Sequence, residues 1–418
     1  MDETHTKNAG CGSCHIAAGP DAMPVTIDGE PIEATEASKD QIDCVLCHGK
    51  TYDGGGDGGQ RVVLFDNDNQ SRPYWSHASL ADAQSVGDNV TAQACKRCHV
   101  NSGGKVFSPN GTMSKAFKYG TDYVADSYQL TYDNGQGVQE TATIDGDVHA
   151  TAGIRCAQCH YAGDHKFKYG KHNVSWGRDI VPDTLDCSDC HGSTPHTAST
   201  NGNKSYLDMH AGFLACQTCH IRHTGGLMHR DLRQPYLVSD ESPFYDFKDT
   251  VKYGVEPEYR WFNGKSGGWE GVLEGPCPIG PKGSKKGKDS GDGSRITPFK
   301  RYEALVWFDL FVLQPVPYVL KYFLVDGDLE TAANEGMEAS GWLRGNKDQY
   351  NFALRRALGI VFSFPMVCEL KVDHGIQKGV NALGYDKQGC NTCHSSGSPF
   401  WKSLGYTKSE LQTLQQPR

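Results

Sequence analysis

Hydrophobic and polar positions alternate unevenly along this chain of 418 residues. Between residue 1 and about 235, brief helical turns are separated by Gly-rich connections, which predicts short helices and loops. Aromatic, loop-like sequence follows at 243–269 (PFYDFKDTVKYGVEPEYRWFNGKSGGW), and then PKGSKKGKDSGDGS at 281–294, a solvated Gly/Lys loop. The most apolar stretch, YEALVWFDLFVLQPVPYVLKYFLV at 302–325, holds Glu303, Asp309, Lys321, Pro315 and Pro317. It therefore predicts core packing, with a buried subunit interface as the alternative, and not a transmembrane span. Two helices are predicted beyond it. DLETAANEGMEASGWLR at 328–344 opens on an Asp cap, and KDQYNFALRRALGIVF at 347–362 repeats apolar residues at three and four. The fold class expected from this pattern is mainly α and coil with little β.

Composition changes what such helices enclose. Only 37% of residues are hydrophobic and 49 are glycine, thin material for a conventional core of this length. Fourteen of the 16 cysteines instead fall in seven CxxCH strings. These are Cys11, Cys14 and His15; Cys44, Cys47 and His48; Cys95, Cys98 and His99; Cys156, Cys159 and His160; Cys187, Cys190 and His191; Cys216, Cys219 and His220; and Cys390, Cys393 and His394. Random placement gives roughly 0.02 such strings. Paired CxxC half-sites also build zinc centres, but zinc has no use for a histidine fixed after every second cysteine. Haem does: two thioethers pin the ring, and the adjacent imidazole falls beneath the iron as its proximal ligand.

Seven c-type haems supply the missing apolar bulk at about 60 residues per haem, so the expected architecture is a multihaem cytochrome c fold whose chain wraps a haem stack. The spacing divides the chain into a haem-dense region at 1–235 with six motifs, a haem-free loop and helical brace at 236–389, and the seventh motif with a tail at 390–418, all in one compact unit. Cys277 and Cys368 are left over, as a disulfide or as free thiols. DGGGDGGQ at 53–60 and DNDNQ at 66–70 are Asp-rich, but neither has the ligand order of an EF-hand, so calcium is a weak alternative to plain turns.

The net charge of -9 argues against nucleic acid or an anionic membrane as partner, and leaves redox proteins and extracellular or mineral electron acceptors. Attachment of this haem type takes place outside the cytoplasm, so the expected location is periplasmic, cell-surface or extracellular. No signal peptide precedes Met1, and the chain reads as a mature form.

Ten histidines lie outside the motifs, against seven irons that each need a second axial ligand for bis-His coordination. His5, His149 and His210 stand six or seven residues before a CxxCH, too close to fold back onto the opposite face of the same iron, so each is expected to cross to a neighbouring haem. His165 and His196 follow their motifs by five residues and point to the same exchange, while His77 and His374 stand 18 and 16 residues before Cys95 and Cys390. His172, His223 and His229 are unassigned.

The chain resembles the octahaem tetrathionate reductase family of multihaem cytochromes. The phrases that carry the resemblance are DCVLCHG at 43–49, AQSVG at 83–87, DVHA at 147–150, LDMHAGFLACQTCHI at 207–221, WFNG at 261–264, TPFK at 297–300 and DHG before the last CxxCH. It implies His149, His165, His196, His210 and His374 as distal ligands. In that family a CxxCK motif carries the catalytic haem, whereas all seven motifs here end in histidine. Two functions follow. The first is an electron conduit of bis-His haems, as a discrete shuttle or as a homo-oligomer or filament in which His5 ligates a haem of the next copy. The alternative is a reductase of sulfur or nitrogen oxyanions with one open haem.

Overall fold

The computed structural model describes residues 127–154, 156–160, 186–196, 204–239, 242–262, 294–319, 322–341, 350–383 and 389–395, with shorter pieces elsewhere between 26 and 409. Its strands are β1 (Ser127–Asp133), β2 (Gln139–Asp145), β3 (Thr224–Ser239), β4 (Ser242–Val255), β5 (Glu258–Phe262), β6 (Arg295–Asp309), β7 (Gln314–Pro315) and β8 (Val361–Lys371), besides minor two-stranded pairs. Its helical segments include α1 (Val148–Thr151), α2 (Cys156–Cys159), α3 (Cys187–His191), α4 (Lys204–His210), α5 (Cys216–His220), α6 (Leu329–Ala339), α7 (Phe352–Ala357) and α8 (Asn391–His394).

The expectation of a mainly α chain with little β is overturned by a mixed sheet of six strands, β3 to β8, in the region expected to be loops and helices. Strand β6 is its spine. Along one edge it pairs antiparallel with β8, from Phe299 opposite Lys371 to Asp309 opposite Val361. Its other edge takes β5 antiparallel at Arg295–Phe299, β3 in parallel at Glu303–Leu305, and β7 at Phe308 and Asp309.

The physical reason for the miss is visible in β6. Tyr302, Ala304, Val306 and Phe308 are buried and Glu303, Leu305 and Trp307 half-buried, a period of two. Leu305 and Trp307 make the other face apolar too, so the sequence shows a continuous run in which the alternation is hidden. The aromatic stretch 243–255 is the long strand β4, hairpinned with β3 through four register shifts that break any regular alternation. The helix expected over 328–344 is α6, and Asp328 caps it by accepting the Thr331 N–H at 3.0 Å. The helix expected over 347–362 is shorter. It ends at Leu358, Gly359 turns the chain at φ +71°, and β8 begins at Val361.

Leu227, Leu232, Tyr302, Ala304, Val306 and Met366 form the core on one sheet face, and Val316, Ala333, Met337, Phe352 and Val361 pack α6 and α7 against the end of β6. Two buried carboxylates of the sheet are paired with arginines. Arg230 grips Asp249 with two hydrogen bonds of 2.8 Å, and Asp309, fully buried, receives Tyr350 Oη at 3.0 Å, Arg355 Nη1 at 2.8 Å and the Phe311 N–H at 2.8 Å. The β1/β2 hairpin docks on β4 through Ile144, Val251 and Tyr253, and at Gly135 (φ +83°) any side chain would run into the Asp249 carbonyl. The hairpin leads directly into Asp147 and His149 and thus sets their place against the sheet.

Candidate functional site

Four CxxCH motifs lie among the described residues, each on a single helical turn: α2 with His160, α3, α5 and α8. Positions i, i+3 and i+4 of a helix share one face, so both sulfurs and the imidazole are presented to the same side. Turns of four or five residues have no stability of their own and need external fastening. Asp186 and Asp189 close a capping box on α3, with the Asp186 N–H reaching Asp189 Oδ2 at 2.6 Å. The sheet holds α5: the Ala215 N–H and Thr218 Oγ1 both donate to the Ile296 carbonyl, at 2.9 and 2.6 Å. Trp401 Nε1 donates to the Cys393 carbonyl beside α8.

On these four described turns, each motif histidine faces a histidine from another part of the chain. Ring centroids are 6.1 Å apart for His160 and His374, 6.1 Å for His191 and His149, 6.3 Å for His220 and His196, and 6.0 Å for His394 and His210. An imidazole nitrogen sits about 2.0 Å from a first-row metal and ~1.1 Å from its own ring centre, so two rings across one ion stand about 6.2 Å apart. All four separations fit a haem iron between the rings. The fit extends to proton positions. His149 Nδ1 meets Asp147 Oδ1 at 3.2 Å, His196 Nδ1 meets Asp208 Oδ1 at 2.8 Å, and His220 Nδ1 meets the Gln377 carbonyl at 3.0 Å. An Nδ1–H donated in this way leaves Nε2 as the free ligand atom and makes it more basic.

None of the four partner histidines serves the motif next to it. His149, seven residues ahead of Cys156, faces the next motif's His191; His196 follows His191 and faces His220; His210 precedes Cys216 and faces His394; His374 precedes Cys390 and faces His160. The motifs also adjoin in a row. Cys159 and Cys190 lie within electrostatic reach, Cys187 and Cys216 within hydrogen-bond reach, and Cys219 and Cys393 share the apolar cluster of Leu214, Trp261, Ile296 and Phe400. No disulfide joins the eight motif cysteines of these turns.

Sequence patterns did not single out Asp147, Asp208 or Gln377, which orient the rings. The only local signal was an aspartate two residues before a histidine, in DVH and DMH, and in the second case the aspartate serves His196 instead. His48 is half-buried, His223 is partly buried just ahead of β3, and His229 lies within β3 opposite Thr250 and Glu303. Cys11, Cys14, His15, Cys44, Cys47, Cys95, Cys98, His99, His5, His77, His165, His172 and Cys277 fall outside the described residues, as do the Asp-rich strings considered for calcium. Cys368 is a β8 position opposite Tyr302. Among the described residues no group of three His, Cys, Asp or Glu forms a separate metal centre, and no helix is long and apolar enough to cross a membrane.

Residues 148–231 match the cytochrome c3 family. The whole chain shares its fold with the octahaem cytochrome c of Shewanella oneidensis, at a TM-score of 0.59 and 20% identity, covering 100% of this chain and 84% of that one. No curated protein sequence matches the chain. The family match falls on the segment that holds three of the four described CxxCH turns, and the structural likeness is one of fold.

Proposed function

We propose that the chain is a heptahaem c-type cytochrome that conducts electrons along a row of bis-His haems outside the cytoplasm, between redox partners or onto an extracellular acceptor. The observation that carries the proposal is the set of four imidazole pairs at 6.0–6.3 Å, a separation at which both rings would ligate one haem iron. When bound, haem supplies a one-electron iron couple at each of them. The chain's own part is to hold paired Nε2 atoms, exclude a substrate from the iron, and keep successive centres close. Cysteine adjacency supports the order 156–160, 187–191, 216–220, 390–394 for four members of the row. The seven motifs of the sequence make the proposed total seven haems.

Low-temperature EPR of the oxidised holoprotein tests the proposal, with low-spin ferric signals alone expected. A stoichiometric high-spin ferric signal would mean an open iron and overturn it in favour of a reductase. Polymerisation into a filament belongs to the same proposal, since it requires only that the row continue into the next copy. Monodisperse monomers at high concentration under the electron microscope would overturn that part.

A further inference from the structure

One carboxylate joins the His149 ring to the backbone that follows His374. Asp147 is 7% exposed, and both of its oxygens are engaged. Oδ1 accepts the His149 backbone N–H at 2.8 Å and faces His149 Nδ1 at 3.2 Å. Oδ2 accepts the N–H groups of Gly375 at 2.9 Å and Ile376 at 3.1 Å, the two residues that follow His374. Gly375 has φ +87°, a region that disfavours side chains, and so lets two successive N–H groups converge on one anion. The Val148 N–H closes the contact by donating to the Ile376 carbonyl at 2.8 Å.

A helix cap alone uses one oxygen for one or two amides of its own turn. Here the second oxygen reaches more than two hundred residues along the sequence, to the backbone that carries another ring. His149 faces His191 and His374 faces His160, so the two rings tied to Asp147 belong to different motifs. Resting on the bis-His proposal above, we infer that Asp147 is a positioning residue shared by two haem centres, those of Cys187–His191 and Cys156–His160. It fixes the second axial ligand of each and places one negative charge between them. Asp208 is the single-centre counterpart: it holds the ring and backbone N–H of His196, and among the described residues its carboxylate takes no N–H beside a second partner ring.

The test compares Asp147→Asn with Asp208→Asn in the haem-loaded protein by potentiometric titration and EPR. The neutral amide of Asp147→Asn keeps one acceptor oxygen, and its NH2 group faces donors on one side or the other. Two midpoint potentials are expected to rise together and two low-spin signals to change in Asp147→Asn, against one in Asp208→Asn. A response confined to one centre in Asp147→Asn, or none, overturns the inference while leaving the bis-His proposal standing. A high-spin signal in the wild type overturns that proposal instead. Where Asp147→Asn does not mature, hydrogen exchange on the wild-type holoprotein decides: slow Gly375 and Ile376 amides are expected, and rapid exchange at both overturns the inference.

Discussion

Replacing Asp208 by Asn should raise the potential of one haem by about 50–100 mV, on a Coulomb estimate taken over the distances at His196. Asp208 Oδ1 lies 2.8 Å from His196 Nδ1. Adding ~2.2 Å across the ring and ~2.0 Å to the metal gives roughly 7 Å between the carboxylate and the iron position. At an effective dielectric constant near 20, a unit charge at that distance favours the ferric over the ferrous state by about 2.4 kcal/mol. For a one-electron couple ~59 mV corresponds to a factor of ten, so the full effect is about 100 mV. Partial exposure, 28% for the His196 side chain and 10% for Asp208, pulls the value toward the lower half. Asp208 Oδ2 is buried with no hydrogen-bond partner among the described residues, so little local polarity blunts the charge. Potentiometric titration followed in the visible spectrum would resolve one displaced component. An unchanged titration curve in a variant that retains its low-spin spectrum would refute the tuning argument, and a shift that vanishes at modest salt would mark it as a surface effect, because 7 Å is shorter than the ~8 Å screening length.

Other outcomes follow from the same geometry. The His149 and His191 planes are twisted by 61°, whereas the other three pairs lie at 14–30°. That centre should therefore give the most axial of the four low-spin EPR signals, and His149→Ala should remove it. Asp309→Asn weakens a buried charged pair with Arg355 and should destabilise the fold by about 3–5 kcal/mol in chemical denaturation, since the guanidinium is left uncompensated. Burial pulls Lys300 down to about 7. Between that value and the unfolded value of ~10.4 the unfolded chain binds the extra proton, so stability should rise with pH across this window and lose that rise in Lys300→Met. Denaturant midpoints at several pH values check it. Gly336 in α6 lies against the Pro317 carbonyl, where a Cβ would overlap backbone, so Gly336→Ala should cost about 1–3 kcal/mol in spite of alanine's better helix propensity.

How much of this was legible in the sequence depends on whether a feature is local. A CxxCH string is complete within five residues, and the turn it builds follows from i, i+3 and i+4 spacing alone. Asp328 as a cap is equally local, and it is where the sequence places it. That His149 and His210 stand too near their own motifs to serve them is a chain-reach argument, available without a structure. Their actual counterparts, His191 and His394, depend on the sheet and were not legible. The sheet itself was hidden because β6 is apolar on both faces and β3 and β4 are broken by register shifts, the two conditions under which a period of two disappears. Asp147 was invisible for a further reason: its partners Gly375 and Ile376 contribute backbone N–H groups, which leave no mark in side-chain chemistry.

The sheet explains why histidine rings so far apart in sequence can face each other. Segment 371–377 leaves β8 and within seven residues meets two motifs and the carboxylate beside the ring that faces a third. Asp373 takes Gln217 Nε2 of α5 at 3.0 Å, His374 faces His160, Gly375 and Ile376 hold the carboxylate beside His149, and Gln377 receives His220 Nδ1 at 3.0 Å. Lys371, at the end of β8, anchors the segment by its 2.8 Å ion pair with Asp373. The register of β8 on β6 is fixed by eleven residue pairs, so the position of this segment is set by the sheet and transmitted as a rigid offset to the rings. A slip of one residue would invert the side-chain faces of β8 and carry His374 out of line with His160. The sheet is thus the frame that aligns histidine rings contributed from elsewhere in the chain. Loosening the β6/β8 pairing, for instance by Val306→Asp in the buried face, should broaden several low-spin EPR signals at once and not that of a single centre.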